Sequence, residues 1–153
     1  MKKTLLISFL FTLIATNSFG VILFSESHVG IDFDDLEFDF QIHDVRKQDK
    51  KLLTLNSKKN KGNSFELSNL EGVSNQDAML KECELLKKEF VKFDASNGEG
   101  YCEIIGNTKK GKRSLRVVMN KEKGKAYLLD GSSDNKKSLK SEFDVLVSDL
   151  QTF

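Results

Sequence analysis

The chain has 153 residues, with 24 Lys and Arg against 23 Asp and Glu, two His, two Cys and neither Pro nor Trp. This length fits one domain with a hydrophobic core of its own. The balance of charge argues against a uniformly basic nucleic-acid-binding protein, and the lack of Trp argues against an aromatic platform for sugars.

The amino-terminal segment has the three-part layout of a secretory signal peptide. Lys2 and Lys3 form a basic start, an apolar run extends from Leu5 to Ala15, and a short polar tail follows. The apolar run is about half of the roughly 20 residues that a membrane-spanning helix needs. We therefore predict a signal peptide at residues 1–20 and an exported product, periplasmic or secreted, without stable membrane insertion.

Small side chains indicate where this segment is removed. Ser18 and Gly20 stand three residues and one residue before Val21, which is the spacing that a signal peptidase accepts. The mature chain is expected to begin at Val21 and to form a single domain over residues 21–153. Asn17 is the second candidate for the last residue removed.

The first part of the expected mature chain is acidic. Residues 21–45 hold seven acidic residues and no Lys or Arg, whereas residues 46–153 hold 22 basic and 16 acidic residues. Apolar and polar residues alternate here as in half-buried strands, first in one phase and then in the other. The apolar positions are Val29, Ile31 and Phe33, then Leu36, Phe38, Phe40 and Ile42. Asp34 and Asp35 must therefore form a turn or bulge where the phase changes.

The carboxylates of this stretch have more than one interpretation. We expect Asp32, Glu37 and Asp39 to point to water, with Asp34 and Asp35 exposed at the phase change. A solvated strand face accounts for them, and so does a surface that binds a basic protein partner. A hard-cation site and a carboxylate pair for glycosidic cleavage are alternatives, although Phe and Leu interrupt the oxygen spacing of a calcium loop. We expect no cofactor and no metal, and these five residues are the candidate partner-binding surface.

A helix is predicted over residues 75–93, begun by a capping pair at Ser74 and Asp77. Its apolar face repeats at spacings of four, three and four, through Met79, Cys83, Leu86 and Phe90. The segment "DASNGEG" then breaks the chain before "YCEIIG", whose composition is typical of a strand.

The two cysteines are predicted to form a disulfide. An exported chain meets an oxidising compartment, where paired thiols close. If the strand at Tyr101 returns beneath the helix, Cys83 and Cys102 lie level, each about 15 Å from the intervening turn. A helix packed on a sheet places the two Cα atoms near the upper limit for a bridge.

The second half of the chain continues with strands and a second helix. "KRSLRVVMN" and "KAYLLDG" predict a hairpin that extends the strand at Tyr101 into a three-stranded meander. A closing amphipathic helix is predicted as far as residue 153, capped by Ser133 or Asp134. Its apolar face is Leu139, Phe143, Leu146, Leu150 and Phe153.

These elements predict an α+β domain in the order β-β-β-α-β-β-β-α, with a mostly antiparallel sheet packed against two amphipathic helices. Residues 74–153, with "GKAYLLDG" leading into "SEFDVLVSDLQTF", resemble the PsbP-like α/β/α sandwich group. The resemblance implies an accessory or binding protein and carries no functional residue to this chain. The Pro and Trp that the group commonly has near the start of the domain are missing here.

The residue inventory favours binding over catalysis. Only His28 and His43 could act as bases near neutral pH, and the chain has no Gly-rich phosphate loop and no nucleophile elbow. We expect an exported, non-enzymatic protein that binds a protein partner and no nucleic acid, such as a periplasmic inhibitor or immunity factor. The alternative is a small exported hydrolase or thiol enzyme in which His43 acts with Cys102 or a carboxylate.

Overall fold

The computed structural model describes residues 19–43, 50–134 and 139–153, which hold ten strands and two helices. Most of the predicted signal peptide lies outside these ranges. The elements are β1 (Phe19–Phe24), β2 (Val29–Asp34), β3 (Phe38–Ile42), β4 (Lys51–Ser57), β5 (Asn63–Leu70), α1 (Gln76–Lys87), β6 (Phe90–Gly98), β7 (Tyr101–Thr108), β8 (Gly111–Asn120), β9 (Lys125–Ser133), α2 (Lys140–Ser148) and β10 (Leu150–Thr152). The predicted α+β class with antiparallel strands and two helices is confirmed.

The described strands form two sheets in place of the single sheet expected. The large sheet has seven strands in the order β3-β4-β5-β9-β8-β7-β6, and the small sheet has three in the order β1-β2-β10. Every pairing in both sheets is antiparallel, and the predicted meander is β7-β8-β9. The two ends of the large sheet are therefore β3 and β6.

The two faces of the large sheet are covered at different places. Residues paired across neighbouring strands share a face, so Ile104 and Leu115 lie on the side that α1 covers. The cluster on this side is Val73, Met79, Cys83, Leu86, Phe90, Cys102, Ile104, Leu115, Val117, Met119 and Ala126. On the other side, α2 and the small sheet bury Phe65, Leu67 and Leu129. The helices thus lie on opposite faces, as in an α/β/α sandwich.

The disulfide is present as predicted. Cys83 on α1 is joined to Cys102 on β7, with 6.6 Å between the Cα atoms. This distance lies near the upper end of the usual range for a bridge, which agrees with a helix lying over a strand.

Helix α1 ends earlier than predicted. It stops at Lys87, and β6 begins at Phe90 and runs through most of the segment that was expected to break the chain. Phe90 is buried in the same cluster as Cys83. Its helical spacing therefore predicted its burial correctly but predicted the wrong backbone conformation. The cap is Asn75, whose side chain accepts a hydrogen bond from the Ala78 amide at 2.9 Å, and not Ser74.

Helix α2 is also shorter than predicted. Leu139 is its cap residue without a side-chain capping bond, Ser133 belongs to β9, and the chain leaves the helix at Asp149. Leu150 then pairs with Ile31 in the small sheet. The helical spacing of Leu150 and Phe153 was therefore misleading, because a strand at the edge of the same core also buries an apolar residue there.

Helix α2 is tied to the β4–β5 turn by one carboxylate, here called the Glu142 network. The two oxygens of Glu142 accept hydrogen bonds from Ser57 Oγ at 2.6 Å, Asn60 Nδ2 at 2.9 Å and Asn63 Nδ2 at 2.7 Å. Asn63 is only 2% exposed, so its amide group depends on this partner.

Candidate functional site

The phase change predicted at Asp34 and Asp35 is a turn that carries the chain from one sheet to the other. Strand β2 belongs to the small sheet and β3 to the large sheet, and both contribute side chains to one core. The apolar positions of the two strands therefore alternate in opposite phase. Residues 34–37, here called the acidic turn, connect them. Leu36, expected in a strand, lies in this turn and is 67% exposed.

Hydrogen bonds fix the conformation of the acidic turn. The Asp34 Oδ1 atom accepts from the Leu36 amide at 2.9 Å, and the Asp34 carbonyl accepts from the Glu37 amide at 3.0 Å. Asx turns of this kind hold a short loop in one geometry. The side chains of Asp35 and Glu37 are exposed and take no part in these two bonds.

One lysine from a distant part of the sequence lies against the turn. Lys58, from the β4–β5 turn, donates from Nζ to the Asp35 carbonyl at 3.0 Å and lies 3.6 Å from the Asp39 carboxylate. Its amide also donates to the Glu37 carbonyl at 2.8 Å. This contact could not be predicted from the sequence, because Asp39 and Lys58 are 19 positions apart and lie in different segments of the chain. The negative charge of the acidic stretch is therefore partly neutralised by Lys58, at Asp39.

Exposed apolar side chains lie among the acids. Phe40 on β3 is 43% exposed, and its ring contacts that of Phe33 at 5.4 Å between centroids. With Leu36, it gives the end of the large sheet an apolar component beside Asp35 and Glu37. A mixture of charged and exposed apolar groups is characteristic of surfaces that bind other proteins.

Asp32 differs from the other four predicted residues. Its Oδ1 atom is shielded from solvent without a hydrogen-bond partner, so it does not simply point to water as expected. Its amide donates to the Asp149 carbonyl at 3.2 Å. Burial, and then the charge of Asp32, raise the pKa of Asp149 above its ordinary value. Asp32 therefore faces the end of α2, while Asp34, Asp35, Glu37 and Asp39 follow the turn and β3.

The histidine–cysteine arrangement considered in the sequence is not present. The Nε2 atom of His43, at the end of β3, lies 2.8 Å from Thr54 Oγ1, and the sulfur of Cys102 is in the disulfide. Four strands separate β3 from β7, which corresponds to about 24 Å at the usual spacing between strands. A thiol enzyme built on His43 and Cys102 is therefore incompatible with this fold.

A polar cavity that the sequence did not indicate lies on the face that α1 covers, where the helix leaves the sheet open. It has a volume of about 480 Å³ and is lined by charged and hydroxyl side chains, including Lys109 and Lys110 of the β7–β8 turn and Lys112 at the start of β8. In its wall, the Arg113 guanidinium bonds both oxygens of Asp130, at 3.1 and 2.9 Å, and also donates to Glu89. Arg113 and Asp130 are diagonal neighbours on one face of the β8–β9 hairpin, so only the register of that predicted hairpin could have brought them together in a sequence analysis.

The charges of Arg113, Asp130 and Glu89 in the wall of this cavity are paired with one another. Hydrogen bonding to Asp130 raises the pKa of Arg113, so the guanidinium stays protonated. Burial raises the pKa of Asp130, and Arg113 offsets only part of that effect. A bidentate pair that holds β8 against β9 is a structural feature, and neither His nor Cys lines the cavity.

Comparison with known proteins identifies the fold. No family model matches the chain, and no curated protein matches it by sequence. The solution structure of the cyanobacterial PsbP protein CyanoP from Synechocystis is similar at a TM-score of 0.60, with 12% identity over 92% of this chain and 95% of that one. The crystal structure of the Saccharomyces cerevisiae Ran-binding protein Mog1p is similar at a TM-score of 0.51, with 7% identity over 88% and 95%.

These likenesses establish a shared fold. The resemblance to the PsbP-like group, predicted for residues 74–153, extends over nearly the whole chain. Within the described ranges, neither helix has the length and apolar character required to cross a lipid bilayer.

Proposed function

We propose that this chain is an exported, non-catalytic binding protein whose acidic turn and β3 contact a basic surface on a protein partner. The observation that carries the proposal is a turn, fixed by its own hydrogen bonds, that exposes the side chains of Asp35, Leu36 and Glu37. Phe40 on the adjoining strand β3 is also exposed. A fixed turn loses little conformational freedom on binding, and its negative charge accelerates encounter with a basic partner.

Export is supported by the layout of residues 1–20 and by the disulfide, which is stable in an oxidising compartment. Cleavage after Gly20 would keep four residues of β1, Val21 to Phe24, paired with β2. Intact mass measurement of the secreted or periplasmic protein is expected to give Val21 as the first residue. A protein that retains residues 1–20 and stays in the cytoplasm would contradict export.

Binding proteins of this type include accessory subunits and inhibitors or immunity factors. An inhibitor role requires that the partner lose activity when it is captured, so it is tested on the captured protein itself. The fold is compatible with binding, since CyanoP and Mog1p share it, and Mog1p is described as a Ran-binding protein.

The experiment is capture of partners from envelope or secreted extracts with immobilised mature protein, compared with Asp35→Lys/Glu37→Lys. These two side chains are chosen because Lys58 contacts only the backbone of Asp35 and Glu37, so reversal leaves the turn's hydrogen bonds in place. We expect capture to fall at least about tenfold, and the wild-type interaction to weaken between about 50 mM and about 500 mM salt.

The matched control is Glu71→Lys/Glu122→Lys, which changes the net charge equally at two exposed acids in other turns. Capture by this variant should equal that of the wild type. Equal loss in both variants would indicate a nonspecific effect of net charge, and unchanged capture by the acidic-turn variant would exclude the acidic turn as the contact.

A further inference from the structure

The other end of the large sheet is strand β6, which is open on one side in the described part of the chain. Strand β6 pairs with β7 on one side and, among the described residues, with no strand on the other. Seven consecutive residues, 91–97, are exposed, and Val91 and Phe93 are 70% and 40% exposed. An end strand presents unpaired backbone N–H and C=O groups, which are able to pair with a strand of another chain.

The register of β6 on β7 assigns its side chains to faces. Lys92 pairs with Asn107 and Asp94 with Ile105, so these two charges lie on the same face of the sheet. Phe93 pairs with Gly106 on the opposite face, where its ring lies 6.0 Å from that of Phe90. One face of the open strand therefore carries a positive charge at Lys92 and a negative charge at Asp94. The residue between them in sequence, Phe93, places its aromatic ring on the other face.

We propose that β6 pairs antiparallel with β6 of a second copy of this chain, about a two-fold axis at Phe93. This axis places Lys92 opposite the partner's Asp94 and, by symmetry, Asp94 opposite the partner's Lys92. It also places Phe93 opposite the partner's Phe93. Opposite charges and aromatic pairs are both favourable at directly facing positions, so both faces of the strand support the same register.

The charges exclude the neighbouring registers. An axis at Asp94 places that carboxylate against the partner's Asp94, and an axis at Lys92 places two ammonium groups together, which is unfavourable. An axis at Ala95 leaves Lys92 opposite the partner's Gly98 and forms no pair of opposite charges. Self-complementarity of the strand therefore selects a single register.

The interface is small, and the dimer is accordingly weak. A bulge between Phe90 and Lys92 shifts the register of β6 on β7, so regular pairing on the open side is confined to a short stretch around Phe93. Interfaces of this size are typical of transient association. The dimer should therefore form in proportion to concentration and dissociate on dilution.

Sedimentation equilibrium of the mature, oxidised protein from about 10 μM to about 500 μM tests the proposal. We expect the wild type to pass from monomer to dimer across this range. Lys92→Asp and Asp94→Lys each place like charges opposite each other and should stay monomeric. The charge-swapped variant Lys92→Asp/Asp94→Lys restores opposite charges and should dimerise again. Lys140→Asp/Asp144→Lys swaps an exposed ion pair on α2 and should behave as the wild type.

Thermal unfolding of each variant shows whether it is folded, and all four substitutions are at exposed positions. A wild type that is monomeric at every concentration would overturn the proposal. Dimerisation that both single variants retain, or that the folded swapped variant fails to recover, would overturn the register. Hydrogen exchange of the β6 amides should slow as the wild-type concentration rises.

Discussion

Removal of the disulfide, which lies in the buried cluster beneath α1, should lower the free energy of unfolding substantially. Cys83 and Cys102 are 19 residues apart in sequence, and both are buried. Closing a loop of about 20 residues in the unfolded chain removes conformational entropy worth about 3 kcal/mol. The expected cost is a large share of the roughly 5–15 kcal/mol typical of a whole domain.

The assay is urea denaturation followed by circular dichroism, for the oxidised wild type, the wild type in reductant, and Cys83→Ala/Cys102→Ala. The double variant should unfold about 3 kcal/mol more easily, and the reduced wild type should fall close to it. The double-alanine variant also leaves a small void in the buried cluster beneath α1. The reduced wild type keeps both sulfur atoms, so it measures the effect of the cross-link alone. A loss below about 1 kcal/mol in both samples would refute the loop-entropy reasoning.

Two further changes test the contacts of α2. Glu142→Ala leaves three donors of the Glu142 network without an acceptor and should lower the free energy of unfolding by about 2 kcal/mol, whereas exposed Asp144→Ala should change it by less than about 0.5 kcal/mol. Equal effects in denaturation would contradict the network. Because the pKa of Asp149 is raised, its ionisation makes the fold less stable as pH rises through and above the ordinary carboxyl range. Asp32→Asn should lower the pKa of Asp149 in an NMR titration and reduce that loss, and an unchanged pKa would contradict the proximity of the two carboxylates.

Much of the core was predictable from spacing alone. Met79, Cys83 and Leu86 define the buried face of α1, and Leu115 and Val117 define that of β8, because side-chain direction follows directly from helix and strand periods. The limits of the helices were not predictable in the same way. Phe90 and Leu150 have helical spacing but lie in strands, since burial constrains the side chain and not the backbone that presents it.

The acidic turn and the polar cavity were less predictable, because both are built by contacts between residues that are distant in sequence. The phase change at Asp34 correctly indicated a turn, but it did not indicate that β2 and β3 belong to different sheets, or that β10, more than 100 residues away, pairs with β2. The same is true of Lys58 on the acidic turn and of Arg113 with Asp130, which require the register of neighbouring strands. A single sequence shows where apolar and polar residues alternate, but it does not determine which strands become neighbours in a sheet.

The acidic turn as a partner-binding surface is tested most directly by cross-linking in the native cell. A photoreactive phenylalanine analogue replaces Leu36 in the acidic turn or, as a control, Leu85 on α1, which is 55% exposed. Irradiation should attach one protein to position 36 and none to position 85, and Asp35→Lys/Glu37→Lys should abolish that adduct. Equal labelling from both positions, or an adduct that persists after charge reversal, would contradict the account.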